Sequence, residues 1–147
     1  MGARRVAREC ALQMLYQWDL RRDAPLPMTA IFWDVHKQNE EIREFANRLV
    51  LATIDHLEEI DSLITGHAKR WRLDRMETVD RNVIRIAVEE LLHEKETPPA
   101  VVIDEAIEIA RRYSKTESGE FVNGLLDSIR EELEGKKQDE REDGEDL

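Results

Sequence analysis

Thr97-Pro98-Pro99-Ala100-Val101-Val102-Ile103-Asp104-Glu105-Ala106 is followed by Ala110-Arg111-Arg112-Tyr113 and then by Phe121-Val122-Asn123-Gly124-Leu125-Leu126-Asp127-Ser128-Ile129. Val102, Ile103, Ala106, Ile109 and Ala110 recur at helical spacing, as do Phe121, Val122, Leu125, Leu126 and Ile129, so the stretch reads as two helices. The proline pair suits the start of the first, because a first-turn N–H has no intrahelical acceptor to lose. Residues 114–118 form a polar break, with Ser118 expected to cap the second helix. Gly124 inside that helix costs roughly 1 kcal/mol relative to Ala. Close packing or the close approach of a ligand is expected to offset it. Phe121 and Asn123 flank the glycine, and an aromatic ring beside an amide suits single-stranded nucleic acid, whose bases stack and present polar edges. A close helix crossing with Phe121 in the core is the competing reading.

The same periodicity extends in both directions. Val6, Cys10, Met14 and Trp18, joined by Ala7, Ala11 and Leu15, mark an amphipathic first helix. Arg4, Arg5 and Arg8 project from one sector of its first turns. Residues 21–28, with Pro25 and Pro27, read as a linker, and Thr29 as the N-cap of a short helix carrying Ile31, Phe32 and Val35. Asn39 is placed to cap a longer helix through Ile42, Phe45, Ala46, Leu49 and Val50. That pattern breaks near residues 55–58 and resumes through Ile60, Leu63 and Ile64. Residues 66–76 form a basic connector with Lys69, Arg70, Arg72 and Arg75. Val79, Val83, Ile86, Ala87 and Leu91 then mark a strongly periodic helix whose first turn holds Asp80, where the helix dipole favours an acid. Strand alternation and internal repeats are absent from the sequence. The expected fold is all-α: a compact single domain of about seven helices in two halves, spanning residues 1–134. Residues 135–147 are acidic and nearly without apolar side chains, a composition expected to be disordered.

Of the 147 residues, 41% are hydrophobic and 37% charged, and the net charge is −11. The distribution is uneven. Residues 131–147 carry 9 acidic and 3 basic side chains, a net of −6 that leaves −5 for the remainder, while residues 1–22 are at +3. A basic start on an acidic body offers one face to nucleic acid and another to a basic protein. No apolar run approaches the ~18 residues of a membrane span, and the basic N-terminus lacks the apolar stretch of a signal peptide. A single cysteine excludes an internal disulfide, and a cytoplasmic protein is expected. No catalytic constellation is legible. Cys10 lies on an apolar stripe, and His36, His56, His67 and His93 show no paired ligand spacing, so neither metal nor cofactor is expected. Gly119 and Gly124 have phosphate-loop spacing, but Leu125 and Leu126 stand where Lys and Ser or Thr are needed.

The opening stretch, together with Arg4-Arg5-Val6-Ala7-Arg8-Glu9-Cys10-Ala11-Leu12-Gln13-Met14-Leu15-Tyr16, Trp71-Arg72-Leu73-Asp74-Arg75 and Val79-Asp80-Arg81-Asn82-Val83-Ile84-Arg85-Ile86-Ala87, resembles the NusB family of transcription antitermination proteins. The resemblance covers the chain to about Leu133. It implies an all-α, non-catalytic RNA-binding factor. Such a factor acts with the ribosomal protein NusE on boxA-type single-stranded RNA, within an antitermination complex on RNA polymerase that sustains transcription of ribosomal RNA operons. The residues matching the family's RNA side are Arg4, Arg5, Arg8, Ser118, Phe121 and Asn123; those matching its partner side are Asp80 and Tyr16. Two departures stand out. Gly119 and Glu120 occupy positions where some members carry basic residues. Some members also hold RNA with an aromatic near residue 71, where the candidates here are His67 and Trp71, with Trp71 expected in the core. Two alternatives stay open: a protein-only helical module, including a homodimer that covers the arginines, and the NusB-like domain of a ribosomal RNA cytosine methyltransferase. Against the latter stands the lack of any βαβ or Gly-rich cofactor segment.

Overall fold

In a computed structural model of the chain, residues 2–69 and 71–145 are described; Arg70 of the basic connector and residues 146–147 of the acidic tail lie outside the described residues. The described residues form seven helices: α1 (Ala3–Arg21), α2 (Pro25–Val35), α3 (Glu40–Asp55), α4 (Leu57–His67), α5 (Thr78–His93), α6 (Pro99–Tyr113) and α7 (Ser118–Glu145), with a 3-10 turn at Leu73–Arg75. Helix α5 is the axis of the fold. Asp80 and every residue from Asn82 to Glu90 are buried, so it has almost no solvent face. Helices α1 and α3 pack on it from one half, α4, α6 and α7 from the other, and α2 rests on α1 and α3.

Burying an unpaired charge costs several kcal/mol, so the ionic residues of α5 need partners. Each finds one on a different element. Asp80 accepts a hydrogen bond from Ser118 of α7 at 3.0 Å. Arg85 donates to Asp61 of α4 at 2.9 Å and lies 3.2 Å from Asp19 of α1. Glu89 meets His56 at the α3–α4 junction at 2.9 Å. Glu90 accepts two hydrogen bonds from Arg8 of α1, at 2.8 and 2.9 Å. Asp19 also takes Arg81 and Asn82. Burial pushes its carboxyl up, yet the bonds from Arg81 and Asn82 and the charge of Arg85 outweigh this and hold it below its ordinary 3.8.

Several local expectations hold. Asn39 caps α3, its side-chain oxygen accepting from the Ile42 N–H at 3.0 Å, and the pattern breaks at His56. Asn39→Ala is expected to cost about 1 kcal/mol, a fall in melting temperature of about 3 °C by thermal denaturation. Others need correction. The linker expected over residues 21–28 ends early, because α2 begins at Pro25. Both prolines sit in its first turn, where missing N–H donors lose nothing. Thr29 is therefore inside α2, buried, with its hydroxyl donating to the Leu26 carbonyl at 2.9 Å rather than capping. The acidic residues from 135 on, expected to lack structure, continue α7 to Glu145, with residues 135–144 exposed. Same-helix pairs support it: Arg130 with Glu134 at 2.8 Å, Lys136 with Glu132 at 3.8 Å, and Gln138 with Glu142 at 3.2 Å.

Candidate nucleic-acid interface

The arginines of α1 do not form an open cationic patch. Arg8 is 5% exposed and held by Glu90. Arg5 is ion-paired with Glu105 in mid-α6. Arg4 is exposed, with its guanidinium 4.0 Å from the centre of the Phe45 ring. One turn on, buried Glu9 accepts from Arg112 in the last turn of α6 at 3.1 Å. Helix α1 is thus tied along α6 by charge pairs, and its cations are largely compensated. The bond from Arg5, opposed by partial burial, holds the Glu105 carboxyl below its ordinary 4.5. The pair therefore persists at neutral pH and is lost only as pH falls through that depressed value.

Across the polar break lies the start of α7. Ser118 is its first residue and not its cap. The hydroxyl is buried between Asp80 and Ser114, with oxygens at 3.0 and 3.1 Å. Phe121 is half-buried, whereas Asn123 and Gly124 are exposed. Nothing in the fold lies within 4 Å of a Cβ built on Gly124, so close helix packing does not account for the glycine. Gly119 is the crowded one: a Cβ there would meet the Arg111 side chain at 2.6 Å. Arg111 of α6 consequently places a cation over the position where a basic residue of α7 is missing.

Beside Phe121 opens a groove of about 270 Å³. It is lined by Trp71, Arg75, Met76, Glu77, Asp80, Lys115, Glu117 and Ser118 as well as Phe121. Trp71, expected in the core, is 57% exposed. In the 3-10 turn that follows, Leu73 packs against the core instead. Two rings, Trp71 and Phe121, therefore share a cleft edged by Arg75 and Lys115. At its floor, one carboxylate oxygen of Asp80 accepts from Ser118, while the other, Oδ1, is buried without a hydrogen-bond partner among the described residues. An orphaned carboxylate oxygen is costly and calls for a donor.

Asp80 is accordingly too buried for direct contact with a protein partner and serves the start of α7. Tyr16 is exposed, not a core ring, and stands one turn from exposed Leu20 on α1. The Cys10 thiol is buried; burial, with Glu9 nearby, pushes it above its ordinary value and away from the thiolate a nucleophile needs. Arg75 and Lys115 line the cleft and Arg111 lies against Gly119, three cations that the sequence did not single out as site residues. They lie in polar connectors and on exposed faces, where only the position of Phe121 in space gives them meaning.

Residues 5–131 match the NusB family model. The transcription antitermination protein NusB of Koribacter versatilis is 45% identical over 137 residues, which cover 92% of this chain and 94% of that protein. The solved structure of T. maritima NusB superposes with a TM-score of 0.79 at 40% identity, covering 90% of this chain and 92% of that one. A chain in a crystal structure of antitermination factors NusB and NusE in complex with dsRNA gives a TM-score of 0.80 at 34% identity, covering 89% and 98%. No helix among the described residues is long and apolar enough to cross a membrane.

Proposed function

The chain belongs to the NusB family, and from that premise we propose that it is a non-catalytic transcription antitermination adaptor of the cytoplasm. In this reading it binds boxA-type single-stranded RNA together with a NusE-type ribosomal protein, and the pair joins the antitermination complex on RNA polymerase. One observation carries the reading: the cleft at the start of α7, with two rings and flanking cations. A base stacks on Phe121 or Trp71 at the start of α7. Arg75, Lys115 and Arg111 contact phosphates, the last two by exchanging their exposed, weak pairs with Glu77 and Glu108, and these contacts position the strand without reading it. Exposed Gly124 lets the backbone of a strand approach beside Asn123. A cleft between rings suits unstacked bases better than a duplex, whose bases are turned inward. Tyr16 and Leu20 offer apolar contact to the partner, and the acidic body complements a basic ribosomal protein.

The test is titration of a fluorescent boxA-type RNA with and without the NusE-type partner. Partner-enhanced binding supports the adaptor. No binding in either case favours the protein-only module, and sedimentation then decides between monomer and homodimer. Glu105→Gln sharpens the test, because it releases Arg5 and removes a negative charge from the α1–α6 surface. If Arg5 then reaches a phosphate, RNA affinity rises at low salt and the slope of log K against log salt steepens by about 0.7. An unchanged slope would leave Arg5 outside the RNA path.

A further inference from the structure

The four histidines are scattered in sequence, but two of them meet in space. His56 sits at the α3–α4 junction, and His93 in the last turn of α5. Their ring centres are 4.2 Å apart. Glu89, one turn before His93 and therefore on the same face of α5, lies 2.9 Å from Nδ1 of His56. Glu59, in the first turn of α4, lies 3.1 Å from Nε2 of His93. One ligand atom each from His56, Glu89 and His93 falls within 4.8 Å of the others. We propose that these three residues, with Glu59 as the fourth ligand, form a binding site for one divalent transition-metal ion of the zinc type.

The donor set is two imidazole nitrogens and two carboxylate oxygens, which suits a borderline ion such as zinc. Tetrahedral bonds of ~2.0–2.1 Å place neighbouring ligands roughly 3.3 Å apart. His93 and Glu59 are the exposed members, so closing the observed spacing calls on the two side chains with most freedom to move. Charge favours the ion as well. Glu90, beside Glu89, is neutralised by Arg8, but among the described residues Glu89 has only imidazole partners, and it is 2% exposed. Two imidazolium ions this close would repel one another. A single divalent cation instead balances both carboxylates and leaves both rings neutral, the form in which they bind metals. The C-terminal ends of α3 and α5 meet the N-terminal end of α4 here, so the helix dipoles largely offset one another and the carboxylates supply the attraction. The ligands come as pairs three and four residues apart on two elements, so the ion would clamp the α3–α4 bend to the end of α5. This end of α5 is opposite Asp80 and the RNA cleft.

The experiment uses the untagged full chain, titrated with zinc alone by calorimetry in competition with a chelator of known affinity. Cobalt substitution reports coordination through its visible d–d bands. One ion per chain is expected, with four-coordinate cobalt bands and a rise in melting temperature. His56→Ala and His93→Ala are expected to weaken zinc binding by at least about tenfold, and Glu59→Gln to weaken it less. His36→Ala, remote in sequence and stacked on Phe32, serves as the control and is expected to bind like the wild type. Circular dichroism establishes that each variant is folded, and His93→Ala removes only a partly exposed ring outside the core. Failure of the wild type to bind zinc stoichiometrically would overturn the proposal. So would equal binding by the folded His93→Ala chain, which would mean an adventitious surface ion only. Neither outcome depends on RNA binding.

Discussion

Arg8→Ala is expected to destabilise the protein by about 3–5 kcal/mol, lowering the melting temperature by on the order of 10 °C. The substitution strands Glu90, which is 2% exposed and receives both guanidinium bonds. It also removes a cation 5.4 Å from the Phe45 ring and enlarges a void of about 10 Å³ beside the pair. Removing both charges is a different operation. Arg8→Met combined with Glu90→Leu replaces the pair with apolar volume and is expected to lie far closer to the wild type than Arg8→Ala. Urea unfolding of the three proteins measures the difference. A folded Arg8→Ala chain within about 0.5 kcal/mol of wild type would mean that water or a rearranged neighbour satisfies Glu90. The result matters for function, because lost RNA binding in Arg8→Ala reports a damaged core and not a lost phosphate contact.

Phe121→Ala and Trp71→Ala are expected each to weaken RNA binding by about 1–3 kcal/mol, the loss of one base–aromatic stack. Trp71 carries the cleaner signal. Its exposed indole contributes little to the core, so Trp71→Ala is expected to unfold within about 0.5 kcal/mol of wild type. Phe121 packs partly against the core and is expected to lose some stability as well. If both rings hold the same base, the double variant is less damaged than the sum of the singles, because the second substitution removes an interaction already gone. Fluorescence titration at fixed salt decides this. Wild-type affinity in Trp71→Ala would remove the cleft from the RNA path and leave Phe121 to act alone.

The fold was largely legible, because helix formation is written in local order. The 3.6-residue stripes of α1, α3, α5, α6 and α7 were recognisable from apolar spacing, and the Asn39 cap and the break at His56 from residue type alone. The failures were also local. Thr29 reads as a cap until the prolines before it are seen to tolerate a helical first turn. The site was less legible. Residue type identified Phe121 and Asn123 as candidates for a base, but spacing could not say that Gly124 is uncrowded or that Trp71 faces outward.

Sequence by itself determined the helices, most of their ends apart from the start of α2 and the end of α7, the polarised charge and the family. Only the tertiary structure decided which charges are available. Arg8 meets a carboxylate 82 residues away, Arg5 one 100 residues away, and His56 one 33 residues away. Such pairings depend on the angle and register at which helices cross. Side chains three or four residues apart share a face wherever a helix forms, but which face meets which neighbour is set by burial of the whole core.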